Sequence, residues 1–214
     1  MYQRIDGENW RHIYIVGDLH GCLTKLVAQL KACSFDPWQD LVISVGDVID
    51  RGPDSPGCLA LLDKRWFRAV CGNHEEMALA SLEQGDRMLW AMNGGDWFRG
   101  LTAARQEWVR AALLRCRELP LIIELHTGGQ MFVIAHADYP SSDYAWNKPV
   151  DEHRLLWSRE RLNRNMAGEG ESIAGADEFY FGHTPLKNSA HFYNQNYIDT
   201  GAVFGNKLTM IQVQ

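Results

Sequence analysis

The 214-residue sequence predicts a mixed α/β fold in which two packed, mixed β-sheets carry helices on their outer faces. Two observations lead to this prediction. The first half alternates apolar strands with helical segments three times, which is typical of a parallel sheet. The second half consists largely of short apolar strands, which indicates a further sheet. Because no linker divides the chain, we expect one domain over residues 1–214.

Three strand–helix units account for the first half. In the second helix we expect Ser55 as N-cap and Pro56 as the first helical residue. We expect the third helix to end near Gly85. The carboxyl ends of the three strands should share one edge of a sheet, where ligand-binding residues usually collect. The predicted strands are 12–18, 41–47 and 67–73, and the predicted helices are 21–33, 54–66 and 74–85.

The second half begins with a helix at 101–120, whose predicted buried face includes Val109 and Leu113 and which Pro120 ends. A β-hairpin is predicted at 121–138, with its turn at the paired glycines 128 and 129. Weak periodicity between the hairpin and the later strands predicts loops with one short helix. The remaining predicted elements are strands within 178–185, 196–201 and 207–213, and this loop region at 140–176.

The composition argues against a membrane protein, a secreted protein and a nucleic-acid-binding protein. No apolar stretch reaches the roughly 18 residues that a membrane span needs. The polar start, MYQRIDGENWRH, lacks the apolar region of a secretory signal. Five scattered cysteines without a CxxC pair are typical of a reduced, cytoplasmic protein. The formal net charge of −6 argues against a nucleic-acid partner, and no feature indicates an oligomeric state.

Polar motifs follow the predicted strands. The strand exits are GDLHG, GDVIDRG, GNHEE, IAHAD and FGHTP. Taken singly, each could be a turn, a helix cap or a core histidine, but their joint occurrence at strand exits predicts a metal site. Carboxylate, imidazole and amide oxygen groups suit borderline ions such as manganese, iron or zinc. The residues concerned are Asp18, His20, Asp47, Asp50, Asn73, His74, His136 and His183.

The ordered set GDLHG, GDVIDRG, GNHE, H and GHTP resembles the calcineurin-like metallophosphoesterases, specifically the bacterial and phage-type serine/threonine protein phosphatases. NGGDW, WSRER and YIDTGAVFG extend the resemblance over nearly the whole chain. It implies a four-layer αββα sandwich. It also implies hydrolysis of phosphoserine and phosphothreonine monoesters in phosphorylated proteins or peptides by a water activated between two divalent metals, with phosphotyrosine as a further substrate.

The same resemblance assigns the metal ligands. Manganese is the expected ion, with iron or zinc as alternatives. Asp47 would bridge the two ions, because it belongs to both ligand sets. The first ion would be bound by Asp18, His20 and Asp47, and the second by Asp47, Asn73, His136 and His183.

The remaining roles concern the phosphoryl group and the leaving group. The resemblance implies His74 as general acid and Asp50 as its orienting partner. Arg51 and Arg159 would bind the phosphoryl oxygens. Structural alternatives are an Asp50–Arg51 ion pair and a solvated helix face containing Arg159. Cys71 stands where relatives often carry a second phosphate-binding arginine, so we expect Cys71→Arg to lower KM.

Two other functions remain open at this point. A dinucleoside-polyphosphate hydrolase of the same superfamily would release nucleotides instead of free phosphate. A metal-bound adaptor that recognises phosphorylated partners would need no catalysis, but such relatives usually lose a ligand or the acid histidine. The short chain and the WSRER segment favour the phosphatase.

Overall fold

The computed structural model describes residues 1–85 and 88–214 and confirms the mixed α/β fold. The strands in these ranges are β1 (Tyr2–Asp6), β2 (Ile13–Val16), β3 (Leu41–Ser44), β4 (Phe67–Ala69), β5 (Ile122–Thr127), β6 (Gln130–Ala135), β7 (Glu178–Phe181), β8 (Ala190–Phe192), β9 (Gln195–Tyr197) and β10 (Met210–Gln212). The helices there are α1 (Leu23–Ala32), α2 (Ser55–Leu59), α3 (Asn73–Gln84), α4 (Met88–Trp90), α5 (Ala103–Arg115), α6 (Glu152–Trp157) and α7 (Glu160–Met166).

The strands form two sheets. A four-stranded sheet has the order β10-β2-β3-β4, with β2, β3 and β4 parallel and β10 antiparallel to β2. A six-stranded sheet has the order β1-β5-β6-β7-β9-β8. In it, β6, β7 and β9 are parallel neighbours. The three strand–helix units of the first half therefore build the parallel part of the smaller sheet, as predicted.

Apolar side chains define the layers. Ile13 and Ile43 of the smaller sheet pack with Ile123 and Ile134 of the larger one in a single buried cluster. A second cluster joins the other face of the smaller sheet to α1, α2, α3 and α5, and a third joins the larger sheet to α6 and α7. Full burial of such a side chain stabilises the fold by about 1.5–3 kcal/mol. The order of layers is therefore αββα.

Three predictions of local structure need correction. Asp54, not Ser55, is the N-cap of α2, because its carboxylate accepts a hydrogen bond from the amide of Gly57 at 2.8 Å. Pro56 is consequently the second helical residue. The region 140–176 holds two short helices, α6 and α7, instead of one. Strands β1 and β8 were not predicted; both are outermost in the larger sheet and lack a continuous apolar run.

Other boundaries agree with the sequence. Gly85 follows α3 in a left-handed conformation with φ of 78°, which suits a helix C-terminus. The hairpin of β5 and β6 turns at Gly128 and Gly129, whose φ values are 57° and 76°. Among the helices of residues 1–85 and 88–214, none combines the length and the apolar character needed to cross a bilayer.

Candidate metal and active site

The eight motif residues lie together in one buried cluster, each at most 9% exposed. Four of them follow β2 and β3 of the smaller sheet, and two begin α3 after β4. His136 and His183 follow β6 and β7 of the larger sheet. Since these strands run parallel within their sheets, their carboxyl ends present the cluster from both sheets at once. The sheet topology therefore creates the site that the motifs predicted.

The backbone of the cluster is strained. Non-glycine residues rarely adopt positive φ, and where they do, the cost is about 1–3 kcal/mol each. Such conformations gather at functional sites, where the surrounding structure holds them in place. The cluster residues with positive φ are His20 at 39°, Asp47 at 48°, Asp50 at 74°, Arg51 at 65° and His183 at 67°.

Two glycines let the chain approach the carboxylates closely. A Cβ atom on Gly72 would lie 2.2 Å from Oδ1 of Asp47. A Cβ atom on Gly182 would lie 2.0 Å from Oδ1 of Asp18. With the backbone held in place, both distances are far below van der Waals contact. Any larger residue would therefore displace a carboxylate. The glycines of GNHE and GHTP are therefore required by packing against the site.

Asp47 occupies the centre of the cluster. Its Oδ1 lies 3.4 Å from Nε2 of His136, and its Oδ2 lies 3.5 Å from Nε2 of His20. Two groups of side chains offer ligand atoms that lie within 4.8 Å of one another, and Asp47 belongs to both. These groups are His20, Asp47 and His74, and Asp47, His136 and His183. A carboxylate shared in this way can contact two ions.

The histidine tautomers suit metal binding. Nδ1 of His20 lies 2.8 Å from the carbonyl oxygen of Ile49, and Nδ1 of His136 lies 2.8 Å from that of Val45. A carbonyl can only accept, so each Nδ1 carries a proton, which leaves Nε2 of each ring as the atom that can bind a metal. Outer hydrogen bonds of this kind orient histidine ligands in metalloproteins. The rings are therefore prepared as ligands.

Asn73 and Asp18 complete the donor set. Oδ1 of Asn73 lies 2.9 Å from Nε2 of His136 and 3.0 Å from Nδ1 of His183. The Asp18 carboxylate accepts a hydrogen bond from the amide of His183 at 3.0 Å. The Asp47 carboxylate, the Asn73 amide oxygen and the imidazoles of His20, His136 and His183 thus lie in one cluster, which Asp18 adjoins through the backbone of His183. Divalent ions of the manganese, iron and zinc type accept this mixture of donors, so the residues present fit them.

Burial and neighbouring charges shift the pKa values of the cluster residues in different directions. Against the effect of burial, the Asp47 carboxylate raises the pKa of His136. Burial lowers the pKa of His20 and of His183 to about 3, so both rings are neutral at pH 7 and able to bind a metal. Burial and the nearby carboxylates of Asp199 and Asp47 raise the pKa of Asp18 well above its ordinary value. A bound cation would oppose this shift because it stabilises the ionised carboxylate.

His74 differs from the other histidines of the cluster. Its Nδ1 lies 2.7 Å from Oδ2 of Asp50, so Nδ1 donates to a carboxylate instead of a carbonyl. Its Nε2 is buried and has no hydrogen-bond partner among the described residues. This nitrogen lies 3.9 Å from Oδ2 of Asp47, near the shared carboxylate. His74 thus presents one open nitrogen at the centre, with an acidic partner behind it.

Residues 11–210 match the family of calcineurin-like phosphoesterases. The chain belongs to this family. The resemblance drawn from the motifs is confirmed, and the αββα layers agree with it. Membership implies two divalent metals, for which the phosphoesterase has the candidate ligands described above.

Three known proteins are similar to this phosphoesterase. Serine/threonine-protein phosphatase 1 of Salmonella typhimurium (strain LT2) is 54% identical over 214 residues, covering 100% of this chain and 97% of the relative. Serine/threonine-protein phosphatase 2 of Escherichia coli (strain K12) is 45% identical over 213 residues, covering 100% and 98%. The crystal structure of a cold-active protein-tyrosine phosphatase of a Shewanella species shares the fold, with a TM-score of 0.62, 14% identity and coverage of 100% and 78%.

The two predicted phosphate-binding arginines lie in different surroundings. Nη1 of Arg51 lies 2.6 Å from Nε2 of His20, so its guanidinium reaches the ligand cluster. In residues 1–85 and 88–214 it forms no ion pair with Asp50, and the paired alternative is wrong. Arg159 is exposed, lies near enough to His183 to lower its pKa, and forms no ion pair within the described chain. Arg161 instead pairs with Asp138 at 2.8 Å.

Glu75 is a site residue that sequence reasoning missed. Its buried carboxylate accepts hydrogen bonds from the amides of Asp47 and Gly72, each at 2.9 Å. It also accepts from the amides of Val48 and Ile49, at 3.0 and 3.3 Å. From the sequence alone, a glutamate in the first helical turn predicts only a favourable interaction with the helix dipole. Its function in the fold is to tie the GDVIDRG loop to the start of α3.

Cys71 directly precedes Gly72 of the GNHE motif. It is buried and lines a cavity of about 480 Å³ together with Cys116 and Glu76. The expected decrease in KM on Cys71→Arg stays a prediction, to be measured by phosphatase kinetics against Cys71→Met as the uncharged control. An unchanged KM would remove the hypothesis that an arginine at position 71 contacts phosphate.

Proposed function

We propose that this phosphoesterase hydrolyses phosphoserine and phosphothreonine monoesters in proteins. The carrying observation is the buried cluster around Asp47, with the open Nε2 of His74 beside it. Two similar relatives that the chain matches over its whole length bear the name serine/threonine-protein phosphatase. The intact His74–Asp50 pair favours an enzyme over an adaptor, because phosphate recognition alone needs no proton donor. Phosphotyrosine is proposed as a further substrate.

In this proposal the two metal ions share Asp47. Manganese is the proposed ion, since carboxylate, amide and water oxygens together with imidazole suit it. Two divalent ions, when bound, supply Lewis acidity that attracts phosphoryl oxygens and makes water more acidic. Asp18, His20 and Asp47 would hold the first ion, and Asp47, Asn73, His136 and His183 the second.

Protonation of the leaving group is assigned to His74. A serine or threonine alkoxide leaves poorly and therefore needs a proton in the transition state. The Nδ1 bond to Asp50 fixes the orientation of the ring and directs Nε2 toward the centre. The carboxylate partner of Nδ1 separates His74 from His20 and His136, whose Nδ1 atoms lie against backbone carbonyls. Asp50 is thus the orienting partner of the acid.

Arg51 and Arg159 are proposed to bind the phosphoryl oxygens. A guanidinium matches phosphate geometry with paired N–H donors. Arg51 contacts His20 at the centre, where it could turn to a substrate anion. Arg159 is exposed and lies close to His183, which suits a contact made only when substrate is present.

A matched pair of variants tests this division between neighbouring arginines. Arg159→Ala should raise KM by about tenfold, the usual scale of one charge-assisted hydrogen bond, with Tm unchanged. Arg161→Ala should instead lower Tm, because it leaves the buried carboxylate of Asp138 without its 2.8 Å partner. Steady-state kinetics and thermal unfolding of both variants provide the comparison. An unchanged KM for Arg159→Ala would remove it from the phosphate site.

The proposed setting is the cytoplasm, with phosphorylated proteins as partners. The five cysteines are all free thiols, as expected of a reducing compartment. Neither a nucleic-acid partner nor a membrane is proposed, and the domain is taken as residues 1–214.

The test of the function is phosphate release from a phosphothreonine peptide. Metal-stripped protein is reloaded with Mn²⁺ and assayed in parallel with diadenosine tetraphosphate. Metal-dependent release of phosphate from the peptide supports the proposal. Release of nucleotides from diadenosine tetraphosphate, with the peptide left intact, would agree with the metal site but contradict the proposed phosphoprotein substrate.

A further inference from the structure

The Asp50 carboxylate is fully buried and receives N–H groups from three rings. Nε1 of Trp90 donates to both of its oxygens, at 3.0 and 2.9 Å, and Nε1 of Trp97 donates to Oδ1 at 2.7 Å. Only Oδ2 also meets Nδ1 of His74, at 2.7 Å. Trp97 therefore bonds Oδ1, Trp90 bridges the two oxygens, and Oδ2 is the oxygen that also bonds the imidazole.

The NGGDW motif brings these two indoles together. Gly94 has φ of 102°, and its carbonyl accepts a hydrogen bond from the amide of Arg51 at 3.1 Å. A Cβ atom on Gly95 would lie 2.3 Å from Nε1 of Trp90, so only glycine fits against that ring. The chain can thus reverse between Trp90 and Trp97 and direct both N–H groups at one carboxylate. Simple core packing would not require this alignment.

An indole N–H suits this position for a chemical reason. It only donates and carries no charge, so it orients a carboxylate without neutralising it. A lysine or arginine in the same place would compete with His74 as the counter-ion of Asp50. A carboxylate without these donors would be free to rotate, and its bond to His74 would lose direction. The indole pair therefore preserves the single ionic partner of the histidine.

We propose that Trp90 and Trp97 are positioning residues for His74. Their indole N–H groups hold Asp50 so that Oδ2 fixes the ring and Nε2–H points at the leaving oxygen. This inference rests on the proposed function, in which His74 protonates the leaving group. Neither tryptophan touches the substrate, and both act through Asp50.

The test is the dependence of kcat on the leaving group. Trp97→Phe keeps an aromatic ring and removes the N–H. Its kcat on a phosphoserine peptide should fall about tenfold, the scale of one hydrogen bond to a charged group. With p-nitrophenyl phosphate, whose phenolate leaves without a proton, kcat should change less than about twofold. Trp66→Phe is the control, since Trp66 is partly buried and packs on Phe35 and Phe67 away from the cluster.

A double-mutant cycle separates positioning from general damage. In an Asp50→Asn background, Trp97→Phe should cause no further loss, because the group it positions is already gone. Equal losses on both substrates, or full additivity with Asp50→Asn, would overturn the inference, as would an unchanged kcat. Trp90→Phe provides an independent measurement by the same pair of substrates. His74→Asn is measured with the same two substrates. If its kcat fell equally on both, His74 would not be the general acid, and this part of the proposed function would be wrong whatever the tryptophan variants showed.

Discussion

Replacing His74 with asparagine is expected to reduce kcat on a phosphothreonine peptide by about 10²–10⁴-fold, the usual contribution of a general acid. Asparagine retains hydrogen-bonding capacity but cannot transfer a proton. The residue lost is a buried ring whose Nδ1 is held by Asp50 at 2.7 Å and whose Nε2 has no partner within the described chain. Steady-state kinetics of the Mn²⁺-loaded protein measure the effect.

Metal content distinguishes this role from that of a ligand. His74 lies with His20 and Asp47 in a group whose ligand atoms are within 4.8 Å of one another, so a ligand role is geometrically open. An acid can be removed with both ions retained, whereas loss of a ligand would lower Mn²⁺ stoichiometry. His191→Asn is the control, because His191 is half exposed and pairs only loosely with Glu178 at 3.4 Å. If His74→Asn bound less Mn²⁺ than the wild-type protein, His74 would be a metal ligand and not the general acid.

The location of the cluster could be predicted because it depends on chain direction alone. Asp18 and Asp47 follow parallel neighbours β2 and β3, so their proximity follows from strand order. The larger sheet adds His136 and His183 from the parallel pair β6 and β7. Motif order and apolar runs carry all of this information. Neither the tautomers nor the distances could be derived in this way, because they depend on carbonyl positions set by tertiary packing.

Features that depend on distant partners escaped prediction. In the sequence, Trp90 and Trp97 look like any other tryptophans of a packed core. Only the structure shows that the turn at Gly94 and Gly95 brings both indole N–H groups to the Asp50 carboxylate. The ring of Trp146, by contrast, packs against the guanidinium of Arg4 in β1. Strand β1 is half exposed at a sheet edge, so its sequence YQRID lacks the apolar alternation of an inner strand. An edge strand of this kind can be identified from its pairing with the neighbouring strand, here β5, but not from its own sequence.

Substitution of Asp47 by asparagine should have the broadest effect, because two ligand groups share this one side chain. Loss of a residue that only supports a ligand costs about 10–100-fold in metal affinity, so loss of a shared ligand should cost more than about 100-fold at both sites. Activity at micromolar Mn²⁺ should fall to background. Asparagine preserves the shape of the side chain. Its Oδ1 can still accept the hydrogen bond that the amide of His74 donates to Oδ1 of Asp47 at 3.0 Å.

Thermal unfolding provides the readout that does not depend on activity. A ligand that binds only the folded state raises Tm, so Mn²⁺ should raise the Tm of the wild-type protein and leave that of Asp47→Asn unchanged. Asp63→Asn is the matched control, since Asp63 is an exposed carboxylate that pairs with Arg115 on the surface. If calorimetric titration found two Mn²⁺ ions bound to Asp47→Asn with wild-type affinity, the ions could not share this carboxylate. The position of Asp47 at a strained strand exit, against Gly72, would then need a purely structural reason.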